Sequence, residues 1–94
     1  MTETLRLQGN EYYKVKDYES AIRCYDEVLK QDEGVVLALG NRCAAYLALK
    51  RWKEAERDAR KALELDFGNE KYLFRLASSL LEQLAFSGQQ LYHL

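Results

Sequence analysis

Five polar side chains recur along this 94-residue chain at spacings that could form one anion-binding surface. They are Arg6, Asn10, Asn41, Lys71 and Arg75. Arg6 and Asn10 stand four residues apart, and so do Lys71 and Arg75, so each pair would lie on one face of a helix. Arginine and lysine supply positive charge, whereas asparagine amides donate hydrogen bonds without adding repulsion. The set therefore suits a ligand with two carboxylates, such as a chain terminus that ends in aspartate.

The chain repeats itself with a period of 34 residues, which is also the separation of Asn41 and Arg75. At this lag the identical pairs include Leu5–Leu39, Tyr12–Tyr46, Lys16–Lys50, Ala21–Ala55, Arg23–Arg57, Leu29–Leu63, Asp32–Asp66 and Gly34–Gly68. Chance would give about two identities in such a comparison. A fixed period of this length indicates stacked supersecondary units within one domain. We predict a single domain over 1–94, with repeat 1 at about 2–35, repeat 2 at about 36–69 and a partial repeat 3 at about 70–94.

Apolar residues recur at helical spacing throughout, so the predicted fold class is all-α. Asp17 is a suitable N-cap for a second helix, and Gly34 and Gly68 offer the left-handed conformation that ends many helices. Small residues at Gly9 and Cys43 would let paired helices approach closely. The predicted helices cover about 3–15, 18–32, 36–49, 52–66 and 70–84, followed by a partial helix from about 88.

Composition and the absence of several motifs narrow the function. The net charge is −1, the charged fraction is 31%, and no basic residues interleave with aromatics, so we expect no nucleic-acid partner. We also expect no membrane partner, because neither a signal peptide nor an apolar stretch of about 18 residues is present. His93 is the only histidine and the two cysteines lack metal spacing, so we expect no metal, no cofactor and no enzymatic activity. The expected location is the cytoplasm or the nucleus.

Two further predictions concern side chains away from the five. We expect Cys43 to be a small buried residue rather than a reactive thiol or half of a disulfide. We expect the charged residues of the second and fourth helices to form a solvated face; these are Asp26, Glu27, Glu56, Arg57 and Asp58.

The pattern of small and aromatic residues resembles the tetratricopeptide repeat (TPR). The residues that carry this resemblance are Gly9, Tyr12, Ala21 and Tyr25, followed by Tyr46, Ala55 and Ala62. It covers residues 2 to about 86. The resemblance implies a right-handed superhelical stack of antiparallel helix hairpins, with two full repeats and a third partial repeat or capping helix.

The five polar residues resemble the dicarboxylate clamp of a co-chaperone subset of that family. The chain has a basic residue four before Asn10, then Asn41 followed by Arg42, and Lys71 four before Arg75. The resemblance implies capture of the C-terminal Glu-Glu-Val-Asp tail of cytosolic heat-shock chaperones of the 70 and 90 kDa classes, a recognised mode of peptide binding. Arg6, Lys71 and Arg75 would bind carboxylates, and the two asparagines would fix the chain terminus.

Tyr13 and Leu47 are equivalent positions of the repeat, and we predict that they line the groove, although packing alone would also explain them. One alternative is a repeat scaffold for complex assembly that binds a partner through another surface. Another is a recruitment module of a larger enzyme, such as a phosphatase. Residues 85–94 carry apolar side chains, including Phe86, Leu91 and Leu94, and we expect this end either to fray or to support a weak homodimer.

Overall fold

The fold is an all-α stack of helix hairpins, as the sequence predicts. The computed structural model describes the backbone of residues 1–92 and the side chains of residues 1–86. Within this range there are five helices and no strand: α1 Thr2–Lys14, α2 Tyr18–Gln31, α3 Val36–Ala48, α4 Trp52–Leu65 and α5 Glu70–Tyr92. The first four agree with the predicted helices to within one residue at each end. Hydrophobic periodicity therefore located these helices correctly.

The end of the chain differs from the prediction. We predicted a helix over 70–84 and a separate partial helix from about 88, but α5 is continuous from Glu70 to Tyr92. This stretch contains no proline, and its one glycine is Gly88. One glycine in a helix costs about 1 kcal/mol relative to alanine, which is too little to end a long helix. The predicted roles of Leu91 and Leu94 fall outside the side chains that the structure describes, as does His93.

The turns within the two hairpins share one geometry. Lys16 and Lys50, which are equivalent positions of the repeat, both adopt a left-handed backbone conformation, with φ of 65° and 61°. A residue with a side chain is uncommon in this region, so the tight turn rather than residue preference selects it. Asp17 then caps α2, because its Oδ1 accepts a hydrogen bond of 3.2 Å from the backbone N–H of Ser20. This confirms the predicted N-cap.

The prediction for Gly34 is wrong. Gly68 has a φ of 84°, as predicted, but Gly34 does not adopt a left-handed conformation. Instead, Asp32 ends α2 in an extended conformation, and its Oδ1 accepts a 2.9 Å hydrogen bond from the Gly34 N–H. The aspartate side chain closes this turn, so the glycine's conformational freedom is not needed there.

Each helix packs against the next one in the chain, and α3 also contacts both α1 and α5. Small residues make the close approaches: Ala21, Cys43 and Ala55 are fully buried. A Cβ on Gly9 would lie 2.7 Å from the Tyr25 ring, so only glycine fits at this crossing. Cys43 is fully buried, which confirms its predicted packing role, and burial raises the pKa of its thiol to about 12.

One part of the predicted solvated face is wrong. Asp58 on α4 is only 3% exposed, and it accepts two hydrogen bonds from Arg42 of α3, at 2.8 and 2.7 Å. The same guanidinium donates a third hydrogen bond, of 2.9 Å, to Asp26 of α2. Arg42 therefore joins three helices, and a planar fork of five N–H donors can satisfy both carboxylates.

The outer face of α5 has no helix against it among the described residues. The exposed apolar side chains of α5 are Leu73, Phe74, Leu80, Leu81, Leu84 and Phe86. In the part of the chain that the structure describes, no helix combines the length and the apolar character needed to cross a membrane.

Candidate carboxylate-binding site

A pocket of about 210 Å³ lies where α1, α3 and α5 meet. Three of the five predicted site residues line it, one from each helix: Asn10, Asn41 and Arg75. The remaining lining residues are Tyr13, Lys14, Tyr25 and Ala44. Because the first helix of each repeat faces the same side of the stack, positions far apart in sequence converge here.

The two asparagines and a buried tyrosine form one hydrogen-bond network. Asn10 Oδ1 accepts a 2.6 Å hydrogen bond from the Tyr25 hydroxyl and a 2.9 Å hydrogen bond from Asn41 Nδ2. A carbonyl oxygen has two lone pairs, so both acceptor positions of Asn10 are filled. Burial is the main cause that raises the pKa of Tyr25 to about 12, so its hydroxyl remains a donor at neutral pH. The free part of the Asn10 amide is its NH₂ group.

Arg75 is held in place by the backbone of α3. Its Nη1 donates a 2.9 Å hydrogen bond to the carbonyl oxygen of Gly40, which leaves other guanidinium N–H groups for a ligand. Gly40 is itself required for packing, because a Cβ there would collide with the ring of Tyr72. Tyr72 is only 3% exposed and anchors α5 against α3. The position of Arg75 thus depends on this glycine–tyrosine contact.

A wider groove continues from the pocket. It has a volume of about 830 Å³ and shares Tyr13, Ala44 and Arg75 with the pocket, to which it adds Leu47, Ala48, Glu70, Lys71 and Phe74. Tyr13 and Leu47, which are predicted to line a peptide groove, both line this one. Lys71 is exposed at this edge, and its Nζ lies 6.0 Å from the centre of the Tyr72 ring. The groove combines apolar side chains with two cations, Lys71 and Arg75, and one carboxylate, Glu70.

Arg6 differs from the other four in its position relative to the two cavities. It lines neither the pocket nor the groove, although it is half-buried on α1, one turn before Asn10. Its positive charge nevertheless acts on the Tyr25 hydroxyl, whose pKa it lowers against the larger effect of burial. Arg6 therefore contributes to the electrostatic potential around the network rather than to the walls of the pocket. Arg42, which follows Asn41, points away into the contacts with Asp26 and Asp58.

The arrangement can bind an anion through donors on three helices. Asn10, Asn41 and Arg75 offer N–H groups to one space, and Lys14 and Lys71 add charge at its borders. Charge-assisted hydrogen bonds of this kind are about twice as strong as neutral ones. Within the described residues, no group of three or more histidine, cysteine, aspartate or glutamate side chains could hold a metal ion.

The comparison with protein-family models gives one match, to the tetratricopeptide repeat, over residues 2–35 and 36–69. These two segments cover most of the chain. The chain belongs to the tetratricopeptide repeat family. A TPR domain is a non-catalytic binding module built from stacked helix hairpins.

Relatives and solved structures agree with this family. Serine/threonine-protein phosphatase 5 of Mus musculus is 40% identical over 77 residues, which are 82% of this chain and 15% of the phosphatase. The chain thus spans only a small part of that relative's length. The second TPR of Spaghetti (RPAP3), bound to the HSP90 peptide SRMEEVD, superposes with a TM-score of 0.82 at 30% identity. That match covers 97% of this chain and 86% of the RPAP3 chain.

A second solved complex involves the other chaperone class. The second TPR domain of human RPAP3 in complex with the HSP70 peptide SGPTIEEVD matches with a TM-score of 0.82 at 27% identity. It covers 94% of this chain and 77% of that chain.

Several residues of the site were missed from the sequence; among them are Lys14, Tyr25 and Phe74, together with Gly40, whose carbonyl oxygen accepts from Arg75. Tyr25 was assigned only to the helix core, yet its hydroxyl reaches Asn10. The hairpin register gave only a coarse signal, because Asn10 lies six residues before Lys16 whereas Tyr25 lies eight residues after Asp17. Gly40 gave no signal, since the contact that requires it comes from Tyr72 in the next repeat.

Proposed function

We propose that this domain is a co-chaperone-like module that captures the C-terminal Glu-Glu-Val-Asp tail of heat-shock chaperones of the 70 and 90 kDa classes. The observation that carries the proposal is the meeting of Asn10, Asn41 and Arg75 in one pocket on three different helices. A tail that ends in aspartate presents an α-carboxylate and a side-chain carboxylate close together. These two groups need several donors at once, and the pocket offers amide and guanidinium N–H groups.

Each residue has a role in this proposal. Asn10 and Asn41 donate hydrogen bonds to the terminal carboxylate. Arg75 binds the aspartate through the guanidinium N–H groups that do not donate to Gly40. Lys71 binds a carboxylate from the groove side, since it lines the groove but not the inner pocket. Arg6 acts at longer range, by raising the positive potential on the α1 side.

The apolar part of the groove supports the same reading. Tyr13 and Leu47 lie beside the pocket, where the valine that precedes the terminal aspartate would be expected. Phe74 is 73% exposed on the same groove. An apolar side chain further along the tail would cover it.

The bound peptides of the RPAP3 domains give independent support. Both peptides, SRMEEVD and SGPTIEEVD, end in Glu-Glu-Val-Asp, and the domains that carry them share this fold. A tail from the cytosolic chaperone pool would also require this protein to work in the cytoplasm, which we propose as its location.

A second candidate function follows from the length of the relatives. This chain matches 15% of phosphatase 5, so the same domain can form part of a larger enzyme. In that case the domain recruits a partner to a catalytic unit elsewhere. The scaffold alternative, in which a partner binds another surface, has the exposed outer face of α5 as its candidate contact.

Calorimetric titration with SRMEEVD and SGPTIEEVD tests the proposal. We expect a dissociation constant of roughly micromolar order, or about −8 kcal/mol, for a short tail in a preformed groove. The control peptides carry a C-terminal amide in place of the carboxylate, and we expect most of the affinity to disappear. Equal binding of acid and amide peptides would refute carboxylate capture and would favour the scaffold alternative.

A further inference from the structure

Tyr25 occupies an unusual place for a core residue. Its ring is buried between α1 and α2 with 1% exposure, yet it also lines the carboxylate pocket. Its hydroxyl makes one described hydrogen bond, the 2.6 Å bond to Asn10 Oδ1. A phenylalanine would fill the same ring space, so packing alone does not account for the hydroxyl.

The hydrogen bonds of the network determine which way the Asn10 amide faces. Its Oδ1 accepts from Tyr25 and from Asn41, so the oxygen is turned toward the protein on both lone pairs. Rotation of the amide by half a turn would place its NH₂ against the NH₂ of Asn41 and would leave the Tyr25 hydroxyl proton without its acceptor, which is unfavourable. The NH₂ of Asn10 is therefore fixed toward the ligand side, and the pocket presents N–H groups from Asn10 and Arg75.

We propose that Tyr25 is a positioning residue that makes this pocket selective for a free carboxylate over a carboxamide. The inference rests on the proposed function, since it concerns the same site. A carboxylate only accepts hydrogen bonds, so it matches a wall of donors at both oxygens. A carboxamide would direct its own NH₂ at the NH₂ of Asn10, and one buried donor would stay unpaired. In this proposal Tyr25 acts through Asn10 and does not itself bind the carboxylate of the ligand.

The replacement Tyr25→Phe separates the hydroxyl from the ring. It leaves the ring volume in the core but removes the hydroxyl whose proton needs Asn10 Oδ1 as its acceptor, so that Asn41 alone then holds the orientation of the Asn10 amide. We expect the acid form of SRMEEVD to bind roughly three- to tenfold more weakly, as for the loss of one hydrogen bond. We expect the weak binding of the amidated peptide to change little. The preference for acid over amide then falls by about the same factor.

Tyr46→Phe is the matched control. Tyr46 is also buried, at 9% exposure, but it packs beneath the guanidinium groups of Arg42 and Arg51, away from the pocket. We expect this variant to keep the wild-type preference for the acid peptide. An unchanged preference in Tyr25→Phe, or an equal fall in both variants, would overturn the inference.

A second reading is made on the folded protein without peptide. In ¹⁵N-labelled protein, we expect the side-chain NH₂ signals of Asn10 and Asn41 to move in Tyr25→Phe, while those of Asn69 in the α4–α5 turn stay fixed. Unmoved Asn10 signals would contradict the role of the hydroxyl even if the affinity fell. If the wild-type protein bound neither peptide, the proposed function would fail together with the inference. If it bound the acid and Tyr25→Phe discriminated equally well, only the inference would fail.

Discussion

The buried ion pair between Arg42 and Asp58 predicts a large loss of stability when one partner is removed. Asp58 is 3% exposed, and burial raises its pKa even though the Arg42 hydrogen bonds act in the opposite direction. The cost of taking this carboxylate out of water is therefore a large part of the balance. Replacement by alanine removes that cost, but it also removes two charge-assisted hydrogen bonds from a largely buried guanidinium.

The size of the stability loss depends on the contacts that Arg42 retains in the variant. Removal of one partner from a buried pair typically costs 3–5 kcal/mol, because the other charge stays buried without compensation. Arg42 retains its 2.9 Å hydrogen bond to Asp26, and its side chain is 21% exposed. We therefore expect Asp58→Ala to lower the free energy of unfolding by about 3 kcal/mol, the lower end of that range.

Glu54 provides a control with the same chemistry at the surface. It accepts the same two-pronged contact from Arg51, at 2.8 and 2.6 Å, but the two side chains are 34% and 40% exposed. Exposed ion pairs contribute at most about 1 kcal/mol, so Glu54→Ala should cost no more than that. Because both residues lie on α4, replacement by alanine favours the helix in both variants.

Urea denaturation followed by far-UV circular dichroism measures both variants. A third arm, the double variant Arg42→Met with Asp58→Leu, removes both charges, and we expect it to be more stable than Asp58→Ala. Equal losses in Asp58→Ala and Glu54→Ala would refute the reasoning, since burial would then make no difference. A double variant less stable than Asp58→Ala would show that the pair itself, rather than the orphaned charge, dominates.

Three further predictions concern the site, pH and self-association. Arg75→Ala should cost roughly 1.5–3 kcal/mol of tail affinity in calorimetry while the thermal midpoint stays nearly constant; unchanged affinity contradicts the clamp. The pKa of Glu54 lies below its ordinary value of 4.5 because of Arg51, and that of Glu56 because of Gln83 and Arg60. The stability that these two carboxylates contribute is present above the ordinary pKa and is lost as the pH falls through the lowered pKa. Replacing both by glutamine should therefore make the urea midpoint depend less on pH between about pH 5 and about pH 3. A decline parallel to that of the wild-type protein would contradict this. Sedimentation should reveal a weak dimer that Leu81→Glu with Leu84→Glu abolishes, whereas monomers at every concentration exclude it.

Two features of the structure could be predicted from simple sequence patterns. The spacing of apolar residues predicts the helices, and the 34-residue period places Asn41 and Arg75 at equivalent positions of successive repeats. The separation of Arg6 from the pocket could not be predicted in this way. The four-residue spacing places Arg6 and Asn10 on one face of α1, but the walls of the pocket depend on how α1 lies against α3 and α5.

The buried charges were predicted incorrectly for a related reason. Aspartates on a helix are usually solvated, and nothing near Asp58 in the sequence distinguishes it from Glu56 or Arg57. What distinguishes it is a partner sixteen residues away on the facing helix. The sequence draws attention to Arg42 only as the residue after Asn41. The antiparallel arrangement of the hairpin places Arg42 opposite the middle of α4, which carries Asp58.

Two adjacent residues of α3 have separate roles: Asn41 belongs to the binding site, and Arg42 stabilises the stack of helices. Successive residues on a helix point about 100° apart, so α3 can direct Asn41 to the ligand pocket and Arg42 to the interface with α2 and α4. Asparagine in the middle of a helix is unfavourable relative to alanine by several tenths of a kcal/mol. The contacts of Arg42 on the other face hold α3 against two helices whatever occupies position 41. Binding residues on α3 can therefore change at little cost to the fold, whereas removal of Asp58 alone, which does not line the pocket, destabilises it.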